Sequence, residues 1–200
     1  MYFPYGDTEI NYLKQRDRRL GQAIDDIGPI KRKMILDPFT ALIRTIIGQQ
    51  ISTKAAQTVC SRMYELVGDP IDPGILANVG LTAIQGCGMS ERKAGYILGA
   101  ANAVLSGEVN FDALHTLTDA EIVKRLTALR GVGVWTAEMI LIFSLGRPDV
   151  VSYGDLGIRR GMAILYGLDE VSREQSAKYA KRYSPYGTVA SLYLWHLAGQ

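Results

Sequence analysis

Apolar residues along this chain recur at helical rather than strand spacing. Phe39, Leu42, Ile43, Ile46 and Ile47 fall on one face of a helix. Asp37 and Pro38 introduce it, as an N-cap followed by the residue best tolerated at the first helical position. Ser52 is placed to start the next helix, where Ala56, Val59, Cys60 and Met63 form an apolar stripe. Thr118-Asp119-Ala120-Glu121 and Ser172-Arg173-Glu174-Gln175 read as capping boxes, with Ile122, Leu126 and Leu129 facing inward after the first. Further helices are predicted from Leu156 to Tyr166 and from about Val189 to Leu197. Strand signals are few and short, so the pattern predicts a predominantly α-helical fold of many short helices.

Glycine supplies most of the punctuation. Asp69 to Gly80, rich in Pro and Gly, reads as an irregular connection. Gly86-Cys87-Gly88 and Gly131-Val132-Gly133 each separate two helical patterns. At the second, a capped helix ends, a turn with two glycines follows, and a strongly apolar helix begins. Glycine permits positive φ and close approach to another molecule. A helix start offers N–H groups without intrahelical partners and the positive end of the helix dipole, so a phosphate can be held there. An ordinary turn between helices, in which glycine caps the first and nothing is bound, fits the same spacing.

Composition narrows the function classes. With 200 residues, 48% hydrophobic and 21% charged, the chain is an ordinary globule able to bury a substantial core. No apolar run reaches membrane-spanning length, and Met1 to Asp7 has neither the basic start nor the apolar run of a secretory signal. An intracellular location follows as the expectation. Two cysteines, Cys60 and Cys87, cannot supply a four-cysteine zinc or iron–sulfur site, and two histidines add little, so no catalytic transition metal is expected. A formal charge of +2 means that any nucleic-acid surface must come from local clustering.

The segment Leu126-Thr-Ala-Leu129-Arg130-Gly131-Val132-Gly133-Val134-Trp135-Thr136-Ala137 resembles the helix-hairpin-helix of the DNA glycosylase superfamily that bears the motif's name. Within it, the chain resembles the 3-methyladenine DNA glycosylase II branch at four further places, in order. These are Ile46 to Ser52, Gly88 to Ala94, Gly154 to Arg160, and Tyr183 to Thr188 followed by Trp195. The resemblance implies an all-α fold of two helical lobes with a catalytic cleft between them. It treats residues 1–200 as one glycosylase unit with the hairpin at about 119–146, without an added N-terminal β-domain.

It also implies roles. Asp155 matches the essential aspartate, which stabilises positive charge on the sugar as the N-glycosidic bond breaks; read locally, Asp155 is also a good N-cap and needs no other purpose. The lysine of bifunctional relatives falls two residues after the second hairpin glycine, where this chain has Trp135. Base removal without lyase activity is therefore expected. Trp135, Met139, Tyr186, Gln49 and Gln50 are the expected base pocket, although Trp135 could equally serve the core and a glutamine could cap a helix end. Gly131, Val132, Gly133, Val134, Thr136 and Arg130 are expected at the DNA backbone, with Arg92 and Lys93 beside them and Met89 as the wedge replacing the extruded base; Arg159 and Arg160 are further phosphate candidates. A Na or K ion held by carbonyls of Thr127, Leu129 and Val132 would be the only bound ion, and no cofactor is required. The expected partner is double-stranded DNA with damaged bases, bound by a monomer, which implies a DNA-associated location in the cytoplasm and nucleoid or in the nucleus according to the source. Two alternatives remain at this stage: a glycosylase for another damaged or mismatched base, and a catalytically silent hairpin module that only binds DNA.

Overall fold

The structure, a computed structural model, describes residues 1–199, and among them the chain forms eleven α-helices and no strand. An isolated antiparallel bridge pairs Tyr2 with Lys33. Among the described residues no helix is long and apolar enough to cross a membrane. The helices divide between two units, one of residues Ile35–Leu145 and one of Met1–Met34 with the chain from Gly146 onward.

The Ile35–Leu145 unit holds α3 (Pro38–Gly48), α4 (Thr53–Val67), α5 (Pro73–Gly86), α6 (Glu91–Leu105), α7 (Asp119–Leu126) and α8 (Val134–Phe143). Its centre is α3, which packs against α4, α6 and α8. The Asp37 carboxylate accepts the Thr40 N–H at the start of α3, and Pro38 follows it. Leu42, Ile43, Ile46 and Ile47 are then buried almost completely, each contributing about 1.5–3 kcal/mol relative to exposure. The capping boxes at Thr118 and Ser172 both form.

One expectation fails here. The stretch from Asp69 to Gly80 is not irregular throughout: α5 begins at Pro73, with the Asp72 side chain accepting the Ile75 N–H. Proline is harmless in the first turn, and the glycine penalty is confined to a kink at Gly80, where φ is 76°. Burial of Leu76 and Ile84 on either side holds the helix together.

The second unit holds α1 (Asp7–Arg16), α2 (Arg18–Ile27), α9 (Leu156–Tyr166), α10 (Arg173–Tyr183) and α11 (Gly187–Leu197). Asp17 links α1 to α2, and its buried carboxylate accepts from the N–H groups of Arg19 and Leu20 and from the side chains of Tyr166 and Arg182. Helices α9 and α11 cross at Gly161, where an added Cβ would sit 2.0 Å from the Leu194 carbonyl oxygen. Any side chain at that position would push the two helices apart.

Candidate active site

Asp155 stands at the N-cap of α9, where its Oδ1 accepts the Ile158 N–H at 2.9 Å. The same oxygen accepts the indole N–H of Trp195, on α11, at 2.9 Å. The residue is only 8% exposed. A buried carboxylate is costly unless hydrogen-bonded, and two donors on one oxygen meet that need while fixing the group's orientation. The Arg32 guanidinium lies 5.5 Å from the centroid of the Trp195 ring, and burial pushes its pKa down while the charge of Asp155 opposes that shift. Guanidinium nevertheless stays protonated at neutral pH, so Asp155 has a cation in its surroundings.

Sequence reasoning placed Asp155 but assigned no role to Trp195 or Arg32. Trp195 lay within a matched segment, yet its pairing crosses 40 residues, and nothing in local spacing announces such a contact. Tyr186, expected in the base pocket, is half-buried at the N-cap of α11 and meets Tyr12 edge-on at 5.2 Å. Asp149 secures that helix start by accepting the Gly187 N–H and the Ser184 hydroxyl. Arg159 lies 5.3 Å over the Tyr153 ring, and Arg160 is exposed.

The other expected residues belong to the Ile35–Leu145 unit. The hairpin turn joins α7 to α8, with φ of 85° at Gly131. Gly131 packs so tightly on the Tyr96 ring of α6 that an added Cβ would lie 2.2 Å from a ring carbon. Gly133 is the N-cap of α8 and opens onto empty space, while Val132 between them is buried and Val134 exposed. The first intrahelical bond runs from the Ala137 N–H to the Gly133 carbonyl, so the N–H groups of Val134 to Thr136 have no acceptor within the helix. Trp135 is half-buried and Met139 fully buried on α8.

Gln49 is the C-cap of α3, and its amide donates to the Gly131 carbonyl at 3.2 Å and to the Thr136 hydroxyl at 3.1 Å. Exposed Gln50 adopts φ of 57°. Met89 is half-buried in a recess of about 210 Å³ that Gln50 and Val59 also line. Arg92 and Arg130, both exposed, flank a second recess of about 410 Å³ with Tyr96 between them. Lys93, expected at the phosphates, turns inward: its ammonium donates to the carbonyls of Ile47 at 2.8 Å and Gln49 at 2.6 Å. Burial, with Arg92 nearby, pushes the Lys93 pKa below that of an ordinary lysine.

These features agree with the chain's likeness to known proteins. A family model described as HhH-GPD superfamily base excision DNA repair protein matches residues 43–185. DNA-3-methyladenine glycosylase 1 of Schizosaccharomyces pombe is 30% identical over 193 residues, covering 94% of this chain and 85% of its own. The crystal structure of a DNA-3-methyladenine glycosidase from Bacillus halodurans superposes with a TM-score of 0.85 at 39% identity, covering 100% of this chain and 93% of that one. The Schizosaccharomyces pombe 3-methyladenine DNA glycosylase in complex with abasic DNA superposes with a TM-score of 0.86 at 30% identity, covering 94% and 95%. With the hairpin and Asp155 both inside the matched span, the chain belongs to the HhH-GPD superfamily of base excision DNA repair proteins, in its 3-methyladenine DNA glycosylase branch.

Proposed function

We propose that this protein is a monofunctional DNA glycosylase that hydrolyses the N-glycosidic bond of alkylated purines such as 3-methyladenine, leaving an abasic site, with Asp155 as its catalytic carboxylate. The observation that carries the reading is the buried Asp155 side chain, held through Oδ1 by Ile158 and Trp195 before any substrate arrives. As the bond from the sugar C1′ to the purine breaks, its electron pair leaves on the base and positive charge grows on the sugar. A preoriented carboxylate stabilises that charge. The water oxygen then bonds to C1′, and the water's proton passes to the carboxylate or to solvent. An alkylated purine already carries positive charge, so it leaves without a strong general acid.

The position that would hold a Schiff-base lysine is Trp135, which cannot form one. Its indole face instead suits a cationic base, an attraction of about 0.5–2 kcal/mol. Met139, Tyr186, Gln49 and Gln50 complete the proposed pocket residues, and Met89 is the wedge. The hairpin N–H groups hold a DNA phosphate, and Arg92 and Arg130 extend that hold. The carbonyls of Thr127, Leu129 and Val132 follow the end of α7; that of Leu129 accepts the Val132 N–H and keeps a second lone pair, and this all-oxygen set would suit a hard alkali-metal ion neutralising the adjoining phosphate. The protein acts as a monomer on damaged duplex DNA inside the cell.

The test is single-turnover base release from an end-labelled duplex methylated on its purines. Release of 3-methyladenine or 7-methylguanine, with strand breaks only after hot alkali and no adduct trapped by borohydride, is the expected result. Breaks before alkali, or a trapped adduct, would overturn the monofunctional reading. DNA binding with no base released would favour a silent hairpin module.

A further inference from the structure

One chain of hydrogen bonds joins three separate segments of the Ile35–Leu145 unit. Lys93, near the start of α6, donates to the carbonyls of Ile47 and Gln49 at the end of α3. The Gln49 side chain donates onward to the Gly131 carbonyl in the hairpin and the Thr136 hydroxyl in α8. Carbonyls at a helix C-terminus lack intrahelical partners and carry the negative end of the helix dipole, so the half-buried Lys93 ammonium is doubly favoured there. Just beyond, Gln50 is the only non-glycine residue with positive φ among the described residues. A residue with a side chain holds that conformation only when its surroundings fix it. The apolar faces of α3, α6 and α8 already hold these helices together. What the polar chain adds is the placement of the exposed Gln50 turn relative to Gly131.

We infer that Lys93 is a positioning residue for base excision, tying the Gln49–Gln50 turn to the DNA-holding hairpin through Gln49, and that it is not itself a phosphate ligand. This rests on the glycosylase reading above, with the hairpin as the backbone clamp.

The experiment compares the full-length protein with Lys93→Met, Lys93→Arg, Gln49→Glu and the Lys93→Met/Gln49→Glu double variant. Two quantities are measured: single-turnover release of 3-methyladenine from methylated duplex, and affinity for a duplex with an abasic-site analogue across a salt series. Lys93→Met should slow release by on the order of ten- to a hundredfold, as small misplacements of a reacting geometry do. The slope of log affinity against log salt should not change. Lys93→Arg, which keeps N–H donors for both carbonyls, should recover most of the rate. Gln49→Glu sets a carboxylate against the Gly131 carbonyl and should slow release comparably, with the double variant no slower than the worse single one.

A salt slope shallower by about 0.9 in Lys93→Met, with release unaffected, would make Lys93 a phosphate ligand and overturn the inference. So would a lower melting temperature with a wild-type rate, or losses that multiply in the double variant. Should Lys93→Met fail to fold, Gln49→Glu leaves Lys93 in place and carries the test. Wild-type protein that binds the duplex but releases nothing would sink the substrate reading alone; the salt slope of Lys93→Met then still separates tether from phosphate ligand.

Discussion

The indole N–H of Trp195 donates to Oδ1 of Asp155 at 2.9 Å, joining the last turn of α11 to the N-cap of α9. The contact depends on how closely those helices cross, which Gly161 permits by having no side chain against the Leu194 carbonyl. Leu194 precedes Trp195 directly, so this close approach of the two helices lies beside the residue that orients the carboxylate.

Replacing Trp195 by Phe keeps the ring's bulk and removes the donor. A hydrogen bond to a charged group is worth about 1.5–3 kcal/mol, so the variant should melt at a lower temperature. Because the carboxylate keeps the Ile158 N–H but loses the indole that fixes its orientation, single-turnover base release should also fall about tenfold. Thermal melting and release kinetics on the same preparation separate the effects. A lower melting point with unchanged release would leave Trp195 only a structural part.

In Asp155→Asn the amide oxygen can still accept from Ile158 and Trp195, so α9 keeps its cap. Only the charge opposing the growing positive sugar disappears. Release should drop by at least about a hundredfold, the scale of losing a preorganised electrostatic group. Binding to duplex with an abasic analogue should change by no more than a few-fold. Near-normal release would transfer the chemistry to another residue.

Much of this fold is legible in the sequence. Local codes survive in sequence: Asp37-Pro38 starts α3, the boxes at Thr118 and Ser172 start α7 and α10, and the glycine pair marks the turn before α8. Helix α1 is polar and buries only Leu13, leaving no apolar stripe to read, whereas α2 does carry one in Leu20, Ala23 and Ile24 and was open to the same reading as α3. The carboxylate that caps α2 is completed by Tyr166 and Arg182, far along the chain. The same limit applied to the site. Asp155 sits at a position with a local signature, whereas Trp195 and Arg32 reach its surroundings only through tertiary packing. Lys93 looked like a surface cation because sequence cannot say which way a long side chain turns.

The buried Asp17 gives a stability prediction with a definite sign. Burial by itself would raise its pKa, but hydrogen bonds from the Leu20 N–H, Tyr166 and Arg182, with the charge of Arg182, outweigh burial and lower it. A folded value below the unfolded one, about 3.9 for aspartate, means the stabilisation is complete above that pH and is lost as pH falls through the folded value. Asp17→Asn should therefore melt well below the wild type near neutrality, and the gap should narrow from about pH 5 down to about pH 3. Melting curves across that range check it, and a gap that widens on acidification would contradict the assignment.

The hairpin glycines are not equivalent. Gly131 has φ of 85°, and its missing Cβ would collide with the Tyr96 ring at 2.2 Å, so alanine there faces both a strained backbone and a steric conflict. Strain of this kind costs about 1–3 kcal/mol, and the easiest relief is for the turn to shift, which also disturbs the Gly131 carbonyl that Gln49 holds. At Gly133, φ is −95° and nothing lies within 4 Å, so alanine fits the fold and its methyl projects into open space. Gly131→Ala should thus lower the melting temperature and weaken binding to undamaged and lesion duplexes alike. Gly133→Ala should melt like the wild type yet still bind DNA more weakly, because its methyl would meet the backbone drawn to the N–H groups of α8. Melting curves beside duplex titrations decide the matter: wild-type affinity in Gly133→Ala would mean that the DNA backbone does not approach this turn.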